Sequence, residues 1–145
     1  MLNQIPLESL PDGTVLRTTA YRWGLAFVAH YGVVQRAPNG QVVIDHNSKK
    51  IGHAATTDFH EFAGLSPVYV DSVPLTPRDS RLRSARTRAD VERRIPWTVF
   101  NNCEDMKSRA LTGHDGSPTR EVFMGLGLFA GFALALFFGI SALSS

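Results

Sequence analysis

The only cysteine of the chain, Cys103, has the sequence context of a nucleophile. Asn102 is a favourable helix N-cap, Asp105 follows it at capping-box spacing, and Gly113 stands where a helix would stop. This pattern predicts a helix over residues 103–112 with Cys103 as its first residue. Unpaired backbone amides and the positive end of the helix dipole favour a thiolate at that position, so the sequence predicts a lowered thiol pKa.

Two histidines, His30 and His46, are the candidates for a catalytic base and for the group that orients it. A nucleophilic thiol needs a base within hydrogen-bond reach, and a third polar group usually orients that base. Both histidines lie in segments rich in β-branched and aromatic residues, 23–36 and 41–47, which are typical of strands. We predict His30 as general base and His46 as the residue that holds its tautomer, with Asp45 pointing to the other face.

The tripeptide Pro-Asn-Gly at residues 38–40 decides whether the two histidines can meet. Proline presets the first turn dihedral and glycine takes a left-handed third position, as in a three-residue hairpin loop closed by a bulge. Ala37 would then face Gln41, and His30 and His46 would be diagonal neighbours on one strand face. A two-residue turn would instead put the histidines on opposite faces.

The other segments predict short strands followed by helices. Strands are expected over residues 13–18 and 68–73, with a short helix within residues 58–64. We predict a loop over residues 75–81 and then a helix from Thr87 to Arg94. The remaining histidines are predicted in or beside loops and helices, without a neighbouring histidine on a strand: His53, His60 and His114.

Two other interpretations of the candidate residues need no catalysis. A lone cysteine is most often a small buried apolar side chain, and a histidine in a strand is often a hydrogen-bonded filler. Cys103 and two histidines would also suit zinc, but their positions lack the short paired spacing of zinc sites. We therefore expect no metal and no other cofactor.

Composition favours a domain stabilised by packing in a reducing compartment. The chain has 145 residues and one cysteine, which excludes an intrachain disulfide. We expect no signal peptide at the N-terminus. The formal net charge of +2 hides a run over residues 78–94 with seven arginines and three acidic residues. Such a run could contact anionic lipid headgroups or nucleic acid, but we interpret it as a solvated linker and helix face. If it does bind phosphate, we expect lipid headgroups and not nucleic acid as the partner, through Arg81, Arg83, Arg86 and Arg88.

The last part of the chain predicts a membrane anchor. Residues 122–143 form an uncharged run of 22 residues, and about 20 helical residues cross a bilayer core. Basic residues precede the run and no charged residue follows it, so the positive-inside rule places a domain of residues 1–121 in the cytoplasm on a single-pass tail anchor. Gly127 and Gly131 form a GxxxG pair that could support self-association.

Four motifs together resemble a known family. They are HYGVV around His30, VVIDH ending at His46, TTDFHEFAG with PVYV, and NNCEDMKSRALTG around Cys103. The succession is similar to the lecithin:retinol acyltransferase-like family of permuted papain-like thiol enzymes, over about residues 11–122. The sequence departs from the family at Asp105 and Met106, where members commonly have a histidine and an aromatic residue.

The resemblance implies an α+β fold in which a small antiparallel sheet packs against the cysteine helix. It also implies covalent acyl transfer, in which Cys103 attacks a lipid ester, His30 accepts its proton and His46 takes the third position. The expected protein is a membrane-anchored acyltransferase or phospholipase acting on glycerophospholipids, with water, an amine or an alcohol as acyl acceptor. The alternatives are a cysteine amidase or peptidase on the same fold, or a non-catalytic membrane-tethered effector module.

Overall fold

One antiparallel sheet of five strands forms the centre of the part of the chain that the computed structural model describes, residues 6–22, 25–98 and 102–116. The strands are β1 (Val15–Arg22), β2 (Leu25–Arg36), β3 (Val42–Ser48), β4 (His53–Thr57) and β5 (Val68–Ser72), in the spatial order β4-β3-β2-β1-β5. The helices are α1 (Phe59–Ala63), α2 (Pro77–Glu92) and α3 (Cys103–Thr112). The predicted α+β class with a small antiparallel sheet is confirmed.

The loop between β2 and β3 has the predicted three-residue form. The N–H of Ala37 donates to the carbonyl of Gln41 at 2.9 Å, and the N–H of Gly40 donates to the carbonyl of Ala37 at 2.8 Å. Gly40 has φ +83°, the left-handed value that closes such a loop with a bulge. The register that follows pairs Val33 with Asp45, as the turn predicts.

Local hydrogen bonds start and stop α3 at the predicted residues. The side chain of Asn102 accepts from the N–H of Glu104 at 2.8 Å, and the N–H of Asn102 donates to Asp105 Oδ2 at 3.1 Å. The helix ends at Gly113, which has φ +84°. The capping box and the glycine stop therefore fix Cys103 as the first residue of α3. The same devices bound α1, from the Asp58 cap to Gly64.

The helix predicted from Thr87 to Arg94 is wrong at its start, and so is the loop predicted over residues 75–81. Thr76 caps α2 by accepting the N–H of Asp79 at 3.1 Å, and proline at the first helical position is compatible with that cap. Thr87 is instead a buried residue in the middle of α2. The sequence did not indicate that α2 begins at Pro77, because most of its side chains are polar and they form no apolar pattern of helical period.

Strand β4 is also absent from the sequence prediction, which put His53 in or beside a loop or helix. Its five residues pair with β3, so that His53 lies opposite Ser48 and Ala55 lies opposite His46. The segment is short and rich in alanine, so it carries little of the β-branched signal of a strand. The pairing matters for the site because β4 brings Thr57 next to His46.

Each face of the sheet has its own apolar cluster. On one face α1 covers a cluster that includes Leu16, Val34, Ile44 and Phe62. On the other face α3 covers a smaller cluster of Val15, Val33 and Ala110. Since side chains alternate along a strand, His30, Gly32 and Val34 of β2 lie on the α1 side, and Tyr31 and Val33 lie on the α3 side.

Part of the arginine run serves the fold and not a solvated surface. Arg83 is buried, with its guanidinium bound to Asp79 and to the hydroxyl of Ser72. Arg86 donates to the carbonyl of Ala110 on α3 at 3.1 Å. The expectation that Arg83 binds headgroup phosphates is therefore wrong, because its buried guanidinium is taken up by Asp79 and Ser72, and the same expectation for Arg81, Arg86 and Arg88 stays a prediction.

Among the described residues no helix combines the length and the apolar character that a bilayer crossing needs. The predicted span over residues 122–143 lies outside the described residues. The same holds for its GxxxG pair, Gly127 and Gly131. The anchor and the self-association therefore remain predictions.

Gly32 is required by the packing of α1 on the sheet. A methyl group at this position would overlap Cγ2 of Ile44 and lie 2.7 Å from Cε2 of Phe62. We expect Gly32→Ala to lower the free energy of unfolding by about 1–3 kcal/mol, as overpacking of a core does. Urea denaturation checks this value, and a variant as stable as the wild type would contradict the described position of Phe62.

Candidate active site

The sulfur of Cys103 lies against the backbone of β2 on both sides of His30. Its thiol donates to the carbonyl oxygen of Ala29 at 3.6 Å, and the backbone N–H of Tyr31 bonds to the sulfur. The side chain is only 7% exposed. Two backbone groups that flank the candidate base thus hold the candidate nucleophile.

The start of α3 can reach this backbone because β2 and β3 separate beyond the hairpin. Within the described residues their pairing runs from Arg36 opposite Val42 to Val33 opposite Asp45 and ends there. Before Val33 in the sequence, the backbone of β2 is therefore no longer paired with β3. The backbone N–H of Tyr31 bonds to the Cys103 sulfur instead of to β3.

The two candidate histidines are in direct contact. Nε2 of His30 and Nδ1 of His46 share a hydrogen bond of 2.8 Å, and the rings meet edge to face with centroids 5.0 Å apart. The predicted placement of both residues on one strand face is confirmed. The ring of Phe62 covers both imidazoles, with centroids 5.2 Å from His30 and 5.5 Å from His46.

Thr57 extends this contact into a chain of three side chains, and the sequence analysis missed it. Its hydroxyl shares a hydrogen bond of 3.0 Å with Nε2 of His46, and the residue is 7% exposed. Recognising Thr57 would have required the prediction of β4, since the contact depends on the pairing of β3 with β4.

Burial sets the protonation state of all three candidate catalytic residues. It lowers the pKa of His30 to about 4, and burial together with the nearby His30 lowers the pKa of His46 to about 3. Burial also raises the pKa of the Cys103 thiol to about 11, against the smaller lowering effect of backbone N–H groups. At neutral pH the thiol, which is hydrogen-bonded to backbone groups of β2, and the two bonded imidazoles are therefore all neutral.

The predicted lowering of the thiol pKa is thus wrong in sign. The backbone N–H groups of Cys103 and Glu104 do act in the predicted direction. Two effects raise the pKa of the thiol instead. The largest is burial, which removes the sulfur from water, and the second is the negative charge of the Glu104 carboxylate. Burial depends on the packing of α3 against β2, which local sequence does not specify.

The hydrogen-bond chain admits a tautomer that suits a base at His30. If Nε2–H of His30 donates to Nδ1 of His46, then Nε2–H of His46 donates to the hydroxyl of Thr57. Nδ1 of His30 then carries the lone pair that accepts a proton. A second proton on His30 leaves both of these hydrogen bonds in place, so the chain holds the ring in either state.

The remaining polar candidates have other roles. Asp45 points to the opposite face, as predicted, and accepts a hydrogen bond from Thr56, while burial raises its pKa. Asp105 is fully buried and accepts a hydrogen bond from the N–H of Asn102. Asp105 therefore completes the N-terminal cap of the cysteine helix.

The other histidines lie apart from this site. His53 begins β4, where its ring contacts the carbonyl of Ala54 and the guanidinium of Arg94. His60 and His114 are exposed. In the described part of the chain, no three histidine, cysteine or acidic side chains are grouped as metal ligands would be.

The low pKa values of the two histidines predict a loss of stability in acid. Between pH 6.5 and about 4 the unfolded chain binds protons that the folded site excludes, so the free energy of unfolding falls as the pH falls. For His30 alone the loss by pH 4 is about 3 kcal/mol. Urea midpoints across this window measure it, and His30→Gln should show a shallower fall. An equal fall in both proteins would contradict a neutral buried His30.

The high pKa of the thiol predicts slow alkylation of Cys103 at neutral pH. Only the thiolate reacts, so the rate with iodoacetamide should rise about tenfold per pH unit between about pH 7 and pH 10. The urea-unfolded chain is the control, and its rate should level off near the ordinary cysteine pKa of 9.0. A rate for the folded protein that stays constant from weakly acidic pH upward would indicate a thiolate–imidazolium pair instead.

Comparison with models of known protein families finds no match to this chain, and comparison with curated proteins finds no similar sequence.

Proposed function

We propose that the protein is a thiol acyltransferase or A-type phospholipase that forms an acyl-enzyme at Cys103. The observation that carries the proposal is that His30, which is hydrogen-bonded to His46 on β3, lies on β2, the strand whose backbone holds the Cys103 sulfur. A nucleophile, a base and a group that orients the base are the minimum set for covalent acyl transfer. The family resemblance of the motifs around these three residues supports the same chemistry.

The proposed reaction starts from a neutral thiol. The sulfur attacks the ester carbonyl carbon while the thiol proton passes to Nδ1 of His30, and a tetrahedral oxyanion forms. We assign stabilisation of that oxyanion to the N–H of Cys103, at the positive end of α3. Collapse of the intermediate breaks the ester bond, and His30 returns its proton to the departing lysophospholipid oxygen. The acyl chain remains on Cys103 as a thioester.

In deacylation the acyl acceptor is the nucleophile and the Cys103 sulfur is the leaving group. Water, an amine or an alcohol attacks the thioester as His30 accepts its proton, and the released sulfur recovers that proton. His46 and Thr57 keep the His30 ring oriented through both halves of the reaction. A single base can serve both steps because each step begins with Nδ1 of His30 unprotonated.

A glycerophospholipid substrate is proposed on the basis of the predicted anchor at residues 122–143. An anchor would keep the domain at a bilayer, where acyl esters of phospholipids are concentrated. In this proposal the soluble domain faces the cytoplasm, where the thiol stays reduced.

The test is incubation of the full chain with liposomes of phosphatidylcholine and phosphatidylethanolamine, followed by mass spectrometry of the products. We expect lysophospholipid together with either free fatty acid or an N-acylated amine. A parallel panel of peptides and isopeptides provides the comparison. Cleavage of the peptides with intact lipids would favour an amidase or peptidase, and no turnover of either class would favour a non-catalytic module.

A further inference from the structure

Phe62 of α1 contacts both candidate catalytic histidines. The centroid of its ring lies 5.2 Å from that of His30, with 32° between the two planes, and 5.5 Å from that of His46, with 81° between the planes. Phe62 therefore covers a face of the His30 ring and meets His46 edge to face. Both nitrogens of an imidazole lie at the edge of its ring, so a cover on the face of His30 leaves them available to other groups.

One short segment of the chain contacts the histidine pair at both of its ends. At its start, the hydroxyl of Thr57 shares a hydrogen bond of 3.0 Å with Nε2 of His46. Asp58 then caps α1, and its backbone carbonyl accepts the N–H of Phe62 at 3.1 Å. Because these bonds lie within a few residues of each other, they fix the position of the Phe62 ring relative to the Thr57 hydroxyl.

The sheet under α1 leaves room for the Phe62 ring. Gly32 follows His30 on the same face of β2, and a methyl group there would lie 2.7 Å from Cε2 of Phe62. The ring is only 4% exposed and packs in the same apolar cluster as Val34 and Ile44. The missing side chain at Gly32 thus lets the ring lie directly against the strand that carries His30.

The groups around His30 are neutral, and burial lowers its pKa. Its partner in β1 is Thr18, which is uncharged, and its partner in β3 is His46, which is neutral at neutral pH. On α3 the neutral thiol of Cys103 is bonded to the backbone of β2. On the α1 side the described neighbour is therefore the apolar ring of Phe62. The titratable residues in and beside α1 are exposed to water: Asp58, His60 and Glu61.

We infer that Phe62 is a positioning residue for the proposed base, because its ring keeps water from the face of His30 and holds the two imidazoles in contact. Without the ring, water would compete for the hydrogen bond between His30 and His46, and His30 would be free to turn or to change tautomer. The role in catalysis rests on the proposed acyl transfer at Cys103. The effect on the two imidazoles does not depend on it.

The test compares three variants of the full chain. Phe62→Ala removes the ring, and Phe62→Leu keeps an apolar side chain over the histidines. Val34→Ala is the control, since Val34 lies in the same apolar cluster but four residues beyond His30 on β2, a distance of ~13 Å. The control therefore removes buried apolar volume without uncovering the imidazoles. NMR of nitrogen-labelled histidine measures the pKa and the tautomer of His30.

In the wild type and in Val34→Ala we expect His30 to stay neutral and in one tautomer from neutral pH down to about pH 5. In Phe62→Ala the pKa of His30 should be higher by about one pH unit or more, toward its ordinary value of 6.5, with both tautomers present. Phe62→Leu should raise the pKa less, because a branched aliphatic side chain covers less of a flat ring.

The kcat for p-nitrophenyl butyrate gives a second readout. We expect Phe62→Ala to lower kcat by about tenfold with little change in KM, since the base is no longer held in one orientation. Val34→Ala should keep the wild-type kcat. If Phe62→Ala is unfolded, as circular dichroism would show, Phe62→Leu decides by the same comparison with Val34→Ala.

Two results differ in what they overturn. If the folded Phe62 variants have the His30 pKa and tautomer of Val34→Ala, Phe62 does not position the base, whatever the activity. If the NMR differences are as expected but the wild type turns over neither ester nor lipid, the proposed acyl transfer is wrong, and with it the catalytic meaning of the Phe62 contacts.

Discussion

Replacement of Cys103 by serine is expected to lower lysophospholipid release from liposomes by at least about 10³-fold. A serine hydroxyl is a far weaker acid than a thiol, and burial has already lowered the pKa of His30 to about 4. The remaining pair would therefore combine a poorly acidic nucleophile with a weak base. Mass spectrometry of the liposome lipids measures the release.

The control for this experiment is Met106→Leu on the same helix. Met106 is also buried, 1% exposed, and exchange of methionine for leucine conserves its volume. We expect this variant to retain activity, so a general disturbance of α3 can be separated from loss of the nucleophile. Unchanged release by a folded Cys103→Ser protein would exclude the proposed mechanism.

Replacement of His30 by glutamine is expected to lower kcat/KM by about 10²- to 10⁴-fold, the usual contribution of a general base. Glutamine can still reach a hydrogen-bond partner but cannot carry the thiol proton. The exposed His60 on α1 provides the matched control, and His60→Gln should keep wild-type activity. Similar losses in the two variants would mean that His30 has no special role.

His46 should respond differently, because in the proposed mechanism it orients the base and does not receive the proton. His46→Gln keeps an acceptor for Nε2–H of His30, whereas His46→Leu removes it and leaves that group unpaired in a buried site. We therefore expect the leucine variant to lose more of kcat than the glutamine variant, with little change in KM. Equal losses would indicate that His46 only fills space.

The elements that local chemistry determines could be predicted from the sequence. The capping box at Asn102 and the glycine at residue 113 fix the ends of α3 through hydrogen bonds within a few residues. The hairpin at residues 38–40 likewise depends on its own dihedral angles, and it sets the strand register. These two local features already place both histidines on one face and the cysteine at a helix start.

The parts that depend on distant packing could not be predicted in this way. The start of α2 is hidden because its buried contacts use Arg83 and Thr87 and not an apolar stripe. The pKa of Cys103 depends on how completely β2 and α3 exclude water, and this reverses the effect expected from the helix dipole. Thr57 joins the site only through the pairing of a short alanine-rich strand.

The resting site differs from a thiolate–imidazolium pair, and this affects where specificity can arise. In the proposed mechanism a neutral thiol requires that proton transfer to His30 accompany attack on the carbonyl, so the position of the substrate would govern the rate.

The most direct test is the intact mass of the protein after rapid mixing with a palmitoyl phospholipid and acid quenching. We predict an added mass of one palmitoyl group that hydroxylamine removes, as it does for a thioester, and that maps to the peptide containing Cys103. His30→Gln should show much slower formation of the adduct. Turnover of the lipid without an adduct, or an adduct that persists in Cys103→Ser, would contradict acyl transfer through this thiol.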